Sequence, residues 1–106
     1  MEKTRAQFLA ETLESDPANA FVRYALAMEL SNSEELSPAW RHFEHLLTHQ
    51  PEYLATYYQA GKFLVKQGRA GEAKNVFAKG IEVARSQGQE HARSELEAAL
   101  HELTHP

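Results

Sequence analysis

Three of the chain's six histidines fall within eight residues, in the stretch His42-Phe43-Glu44-His45-Leu46-Leu47-Thr48-His49. A neutral imidazole binds zinc and related divalent ions, and His45 and His49 have the i, i+4 spacing that lets two rings on one helix grip one ion. On a helical wheel His42, His45 and His49 share one flank, within about 60° of each other. Beside them runs an apolar stripe of Ala39, Trp40, Phe43, Leu46 and Leu47. The chain has no cysteine, so no thiolate can complete a site. Complete metal sites normally draw ligands from several elements. The pattern therefore reads as solvated or half-buried histidines on an outer surface. No metal or other cofactor is expected, and His42, His45 and His49 are the only candidate ligands.

Two other stretches invite a chemical reading. "GKFLVKQGRAG" supplies glycines and cations, but the phosphate-loop spacing G-x-x-x-x-G-K-[ST] is missing and no strand precedes Gly61-Lys62. Gly61 is better placed as a small helix-packing residue, with Gly68 and Gly71 in a tight turn between helices. Serine, histidine and acidic residues are present, yet no spacing singles out a nucleophile and its base. No catalytic residue is assigned, and the chain is not expected to be an enzyme.

The totals narrow the class further. With 106 residues the chain makes one modest domain, and 42% hydrophobic with 25% charged residues is an ordinary globular composition. A formal net charge of −4 argues against a nucleic-acid partner held by a basic surface. The opening "MEKTRAQFLAETLESDP" lacks the apolar core of a signal peptide, and no run approaches the ~20 apolar residues of a membrane span. No membrane partner is expected, and a cytoplasmic location is.

The elements that would position these residues are helices throughout. Phe8, Leu9, Thr12 and Leu13 share a helical face that "ESDP" terminates. Val22, Ala25, Leu26, Met28 and Leu30 mark a second helix from Phe21 to Ser31. In "SNSEELSP", Ser37 is the expected N-cap and Pro38 the first residue of a third helix, reaching about Thr48. Tyr53 to Gln67 forms a fourth, closed by Gly68, and a fifth runs from Gly71 to about Ser86. Ala92, Leu96, Ala99, Leu100 and Leu103 give an amphipathic last helix. No run alternates apolar and polar residues as a strand would.

Internal repetition organises these helices. Pro17 and Pro51 lie 34 residues apart, and the same shift superposes Tyr24 on Tyr58, Leu26 on Ala60, Ala27 on Gly61 and Leu30 on Leu64. It also places Ala39 on Ala73, Phe43 on Phe77 and Leu47 on Ile81. Small residues recur where two helices must approach, and phenylalanines recur where the space between them must be filled. Tyr57-x2-Ala60-Gly61-x2-Leu64 with Ala73-x3-Phe77 is one copy. Arg23-x2-Leu26-Ala27-x2-Leu30 with Ala39-x3-Phe43 and Pro51 is the other. The chain thus resembles the tetratricopeptide repeat (TPR) family, whose 34-residue helix–turn–helix unit carries the pattern W-x2-L-G-x2-Y…A-x3-F…P. It departs from that pattern at Arg23 for tryptophan, Ala27 for glycine and Arg85 for the closing proline. The last departure implies a longer second helix in the second repeat.

The resemblance implies an all-α, right-handed α-solenoid of about six helices within a single domain. Residues 1–16 would be an N-terminal flanking helix, 17–50 the first repeat, 51–85 the second, and 86–106 a C-terminal capping helix. The cap's Arg93, Glu95, Glu97, His101 and Glu102 would face solvent. The family's first helices line a concave groove. Carried over, that groove comprises Phe21, Tyr24, Ala25, Met28 and Asn32, then Ala55, Tyr58, Gln59, Lys62, Val65 and Lys66. Such a lining suits an apolar or amphipathic peptide, with Lys62 and Lys66 attracting acidic residues. Chaperone-binding relatives clamp a C-terminal carboxylate with lysine and asparagine, but Tyr24, Met28 and Gln59 stand at those positions here. The expected function is a scaffold that binds a peptide or helix of a partner protein. The alternative is a homo-oligomer that uses the groove or a solenoid end as a dimer interface, since two repeats are near the minimum for a stable stack.

Overall fold

The computed structural model describes residues 2–106 as six α-helices: α1 (Arg5–Ser15), α2 (Ala20–Asn32), α3 (Leu36–His49), α4 (Ala55–Lys66), α5 (Ala70–Ser86) and α6 (Glu90–Thr104). No strand occurs among the described residues, so the chain is an all-α helical repeat. Its contacts divide it into two compact units, one ending at Tyr53 and the other running from Leu54 to Pro106.

In the first unit Thr4 starts α1 with a capping box. Its Oγ1 accepts from the Gln7 amide at 3.1 Å, while its own amide donates to Gln7 Oε1 at 2.9 Å. Asn19 caps α2 in the same spirit, accepting from the Val22 amide at 3.0 Å. Leu9 and Leu13 of α1 bury against Leu26 of α2, with Ala6, Val22, Ala25 and Leu30 packed around them. Ala27 of α2 and Ala39, Phe43 and Leu46 of α3 are buried as well. The Gln50 side-chain amide donates to the Ala18 carbonyl at 2.9 Å and ties the end of α3 to the α1–α2 turn.

The third helix starts earlier than expected. It begins at Leu36, Glu35 precedes it without a side-chain cap, and Ser37 lies inside the first turn. The cause is the preceding turn. Glu34 adopts a left-handed conformation (φ 59°), and the Glu35 amide donates to the Leu30 carbonyl at 2.8 Å, so the chain has already reversed by residue 35. Pro38 is tolerated as the third helical residue because amides of the first turn have no intrahelical acceptor to lose.

The second unit repeats that turn chemistry with glycine. Gly68 (φ 73°) and Gly88 (φ 68°) end α4 and α5, and the Arg69 and Gln89 amides donate to the Leu64 and Ala84 carbonyls, both at 2.9 Å. Close approach then sets the packing. A Cβ on Gly61 would lie 2.2 Å from Cε1 of Phe77, and one on Gly80 would lie 2.6 Å from Tyr57 Cβ and 3.1 Å from Leu96 Cδ1. The core is therefore Tyr57, Phe63 and Leu64 of α4, Phe77 of α5 and Leu96 of α6, which is only 2% exposed. As the absence of a proline at Arg85 implied, α5 runs on, to 17 residues against 14 in α3.

Candidate interaction site

Gly80 lets α6 settle against the second unit's helix pair, and an open cavity of about 520 Å³ forms beside that contact. Helix α4 contributes Tyr58, Lys62, Val65 and Lys66, α5 contributes Phe77, and α6 contributes Glu95, Ala98, Ala99, Glu102 and Leu103, with Pro106 at one end. Each set follows helical spacing, so one face of α4 and one face of α6 form the two walls. The floor is apolar, and Val65 is 42% exposed there although it is a branched aliphatic side chain.

The charges are arranged by wall. Lys62 and Lys66 stand on the α4 side, and Glu95 and Glu102 on the α6 side. The Lys62 ammonium sits 5.1 Å from the centroid of the Tyr58 ring, an attraction that holds the side chain along the wall. Glu95 lies 3.6 Å from His91 on its own helix. Among the described residues no ion pair joins the lysines to the glutamates, so the opposite charges face the cavity without neutralising each other.

Of the expected groove residues, Tyr58, Lys62, Val65 and Lys66 are brought together here. Ala55, the exposed first residue of α4, and half-buried Gln59 are on the same helix but do not line the cavity. Phe21, Tyr24, Met28 and Asn32 belong to α2 of the first unit. There Phe21 is 66% exposed, Asn32 is exposed, Met28 is half-buried, and Tyr24 packs against Tyr53 with ring centroids 5.9 Å apart. Ala25 is half-buried and packs on the Leu9–Leu13–Leu26 cluster. On α6, Glu95, His101 and Glu102 are exposed as expected, whereas Arg93 and Glu97 are half-buried. Arg93 is partly shielded by Glu90 and Glu97, with which it pairs, and Glu95 and Glu102 line the cavity. The spacing of Glu95, Ala98, Ala99, Glu102 and Leu103 carried that signal, since it is a narrow apolar strip with acidic edges.

The histidines occupy a separate cavity in the first unit. It measures about 460 Å³ and is lined by Arg23 of α2 and by Arg41, His42, Glu44, His45, Thr48 and His49 of α3. Arg23 Nη1 lies 3.1 Å from His42 Nδ1 and Nη2 donates to the Pro17 carbonyl at 3.1 Å. A guanidinium can only donate, so His42 Nδ1 is the acceptor and the neutral ring carries its proton on Nε2. Burial lowers the affinity of His42 for a second proton, and Arg23, Arg41 and His45 lower it further. Burial, Arg23 and His49 act on His45 in the same direction. The rings of His45 and His49 are 4.5 Å apart at their centroids. Among the described residues no group of three His, Cys, Asp or Glu side chains is placed to hold a metal ion.

No protein-family model matches the chain, and none of the curated proteins does. Solved structures do match. A tetratricopeptide repeat domain protein from Salinibacter ruber, determined by solution NMR, is 40% identical, with a TM-score of 0.79 over 83% of this chain and 89% of that one. A crystal structure of a tetratricopeptide repeat domain protein from the same organism is 38% identical, with a TM-score of 0.78 over 82% of this chain and 98% of that one. A Bordetella parapertussis protein solved in solution is 24% identical and shares the fold, with a TM-score of 0.81 over 97% and 90% of the two chains. With the repeat in its sequence, the paired helices of its structure and this level of identity, the chain belongs to the tetratricopeptide repeat family.

Proposed function

We propose that the protein is a protein–protein interaction module whose α4–α6 cavity docks a helix or peptide of a partner protein. The supporting observation is the cavity itself, an apolar trough whose two walls carry opposite, mutually unpaired charges. Two facing copies of a concave surface would leave unfilled volume, whereas a convex helix presents side chains that can fill it. Tyr58, Val65 and Leu103 would receive the apolar stripe, and Lys62 and Lys66 would meet carboxylates along one edge. Glu95 and Glu102 add a demand that the lysines alone do not make, for cations along the other edge. Tyr58 would be the anchor, a large ring with a polar tip that already orders Lys62.

The test uses Tyr58→Ala combined with Val65→Asp, two changes on partly or largely exposed side chains. Helicity by circular dichroism is expected to be retained while capture of the partner from native cell extract is lost. A folded double variant that captures the same partner as strongly as the parent rules the site out. A second reading rests on the first unit, where Phe8 and Phe21 are 61% and 66% exposed, as residues of a self-association face are. Sedimentation over a concentration series, repeated with Phe8→Ser and Phe21→Ser, decides it. A parent that stays monomeric at every concentration excludes that reading.

A further inference from the structure

We propose that the α2–α3 cavity of the first unit is an oxyanion site for a phosphate group, built on Arg23 with Arg41, His42, His45 and Thr48. The starting point is Arg23. It replaces the tryptophan of the repeat pattern with a cation held between two helices, and it donates to a neutral imidazole and to a backbone carbonyl. Among the described residues neither Arg23 nor Arg41 makes an ion pair, although the whole chain carries net negative charge. A partly buried charge without a counter-charge is costly, and an anion in the adjacent cavity removes that cost.

The lining supplies donors and little to repel an anion. A guanidinium has five N–H groups, and the two bonds of Arg23 leave further hydrogens on its terminal nitrogens. The tautomer imposed on His42 leaves Nε2–H as a donor, and Thr48 adds a hydroxyl. Glu44 is the single carboxylate in the lining and it is solvent-exposed. Both histidines are disfavoured as cations by burial and by neighbouring positive charge, so an anion reverses part of that bias. Phosphate can arrive free or on a phosphorylated side chain, and the same donors recognise both.

The experiment follows the histidine ring signals of the full chain by NMR during titration with inorganic phosphate, at constant ionic strength set by sodium chloride. The signals of His42, His45 and His49 are expected to move along a saturable curve while those of His91, His101 and His105 stay in place. Arg23→Trp restores the residue of the family pattern, so the unit keeps its packing, and affinity is expected to drop at least about tenfold. Arg41→Gln and Glu44→Gln, both exposed, are expected to weaken and tighten binding by about threefold, as exposed charges do. With sulfate, whose charge is constant near neutrality, affinity is expected to rise as pH falls through the histidine range. A phosphoserine peptide that binds much more tightly than inorganic phosphate identifies a phosphorylated segment as the source, and equal affinity identifies the free ion. Shifts that merely follow salt concentration, or an Arg23→Trp variant that binds like the parent, overturn the proposal.

Discussion

At position 61 the difference between glycine and alanine is one methyl group, and the Phe77 ring occupies the place where it would go. The equivalent position one repeat earlier holds Ala27, so the demand for glycine comes from the position of that ring and not from the repeat as such. Gly61→Ala is expected to destabilise the protein by about 1–3 kcal/mol, the usual effect of overpacking, read as a lowered urea midpoint. An unchanged midpoint would mean that the ring moves aside freely. Thr56 argues in the other direction. Its side chain is buried and Oγ1 has no hydrogen-bond partner. Thr56→Val keeps the shape and removes the stranded hydroxyl, so a gain of about 1 kcal/mol is expected in the same assay. The packing phenylalanines and small residues were legible in the sequence because a repeated shape repeats its requirements. The bond between Arg23 and His42 was not, because it depends on where two side chains from different helices meet across a departure from the pattern.

At the scale of the element, the turns show how local chemistry sets boundaries. Glu34 holds the left-handed conformation that Gly68 holds one repeat later, and a Cβ makes that conformation unfavourable. Glu34→Gly is expected to raise stability by about 0.5–1 kcal/mol, measured by denaturant midpoint, with a loss of stability as the contradictory result. The misplaced start of α3 has the same origin, since a proline marks the first turn of a helix and not a single position within it. Helix α3 also carries a pH response. His42 and His45 bind a proton less readily folded than unfolded. The unfolded chain therefore takes up more protons as pH falls, and stability is complete above the ordinary histidine range near pH 6.5 and declines below it. Melting temperatures from pH 8 down to pH 5 are expected to show that decline, and His42→Gln with His45→Gln to flatten it.

Across the whole molecule, the six helices and the family were legible because the period of 34 residues carries both spacing and size. The α6 wall of the cavity was not, and the reason is physical. A shift of 34 carries Tyr58 and Lys62 onto Ala92 and the buried Leu96, so most of the α6 residues that form the wall do not fall at the positions the repeat marks as groove. The result is a trough with lysines on one wall and glutamates on the other, the two edges on which the proposed docking of a partner helix relies. Site-specific photo-crosslinking tests this most directly, with the reactive side chain placed in turn at Val65, at Leu103 and, outside the cavity, at exposed Lys74. Docking in the cavity requires partner adducts from positions 65 and 103 and none from 74; adducts from 74 in place of the other two would contradict it.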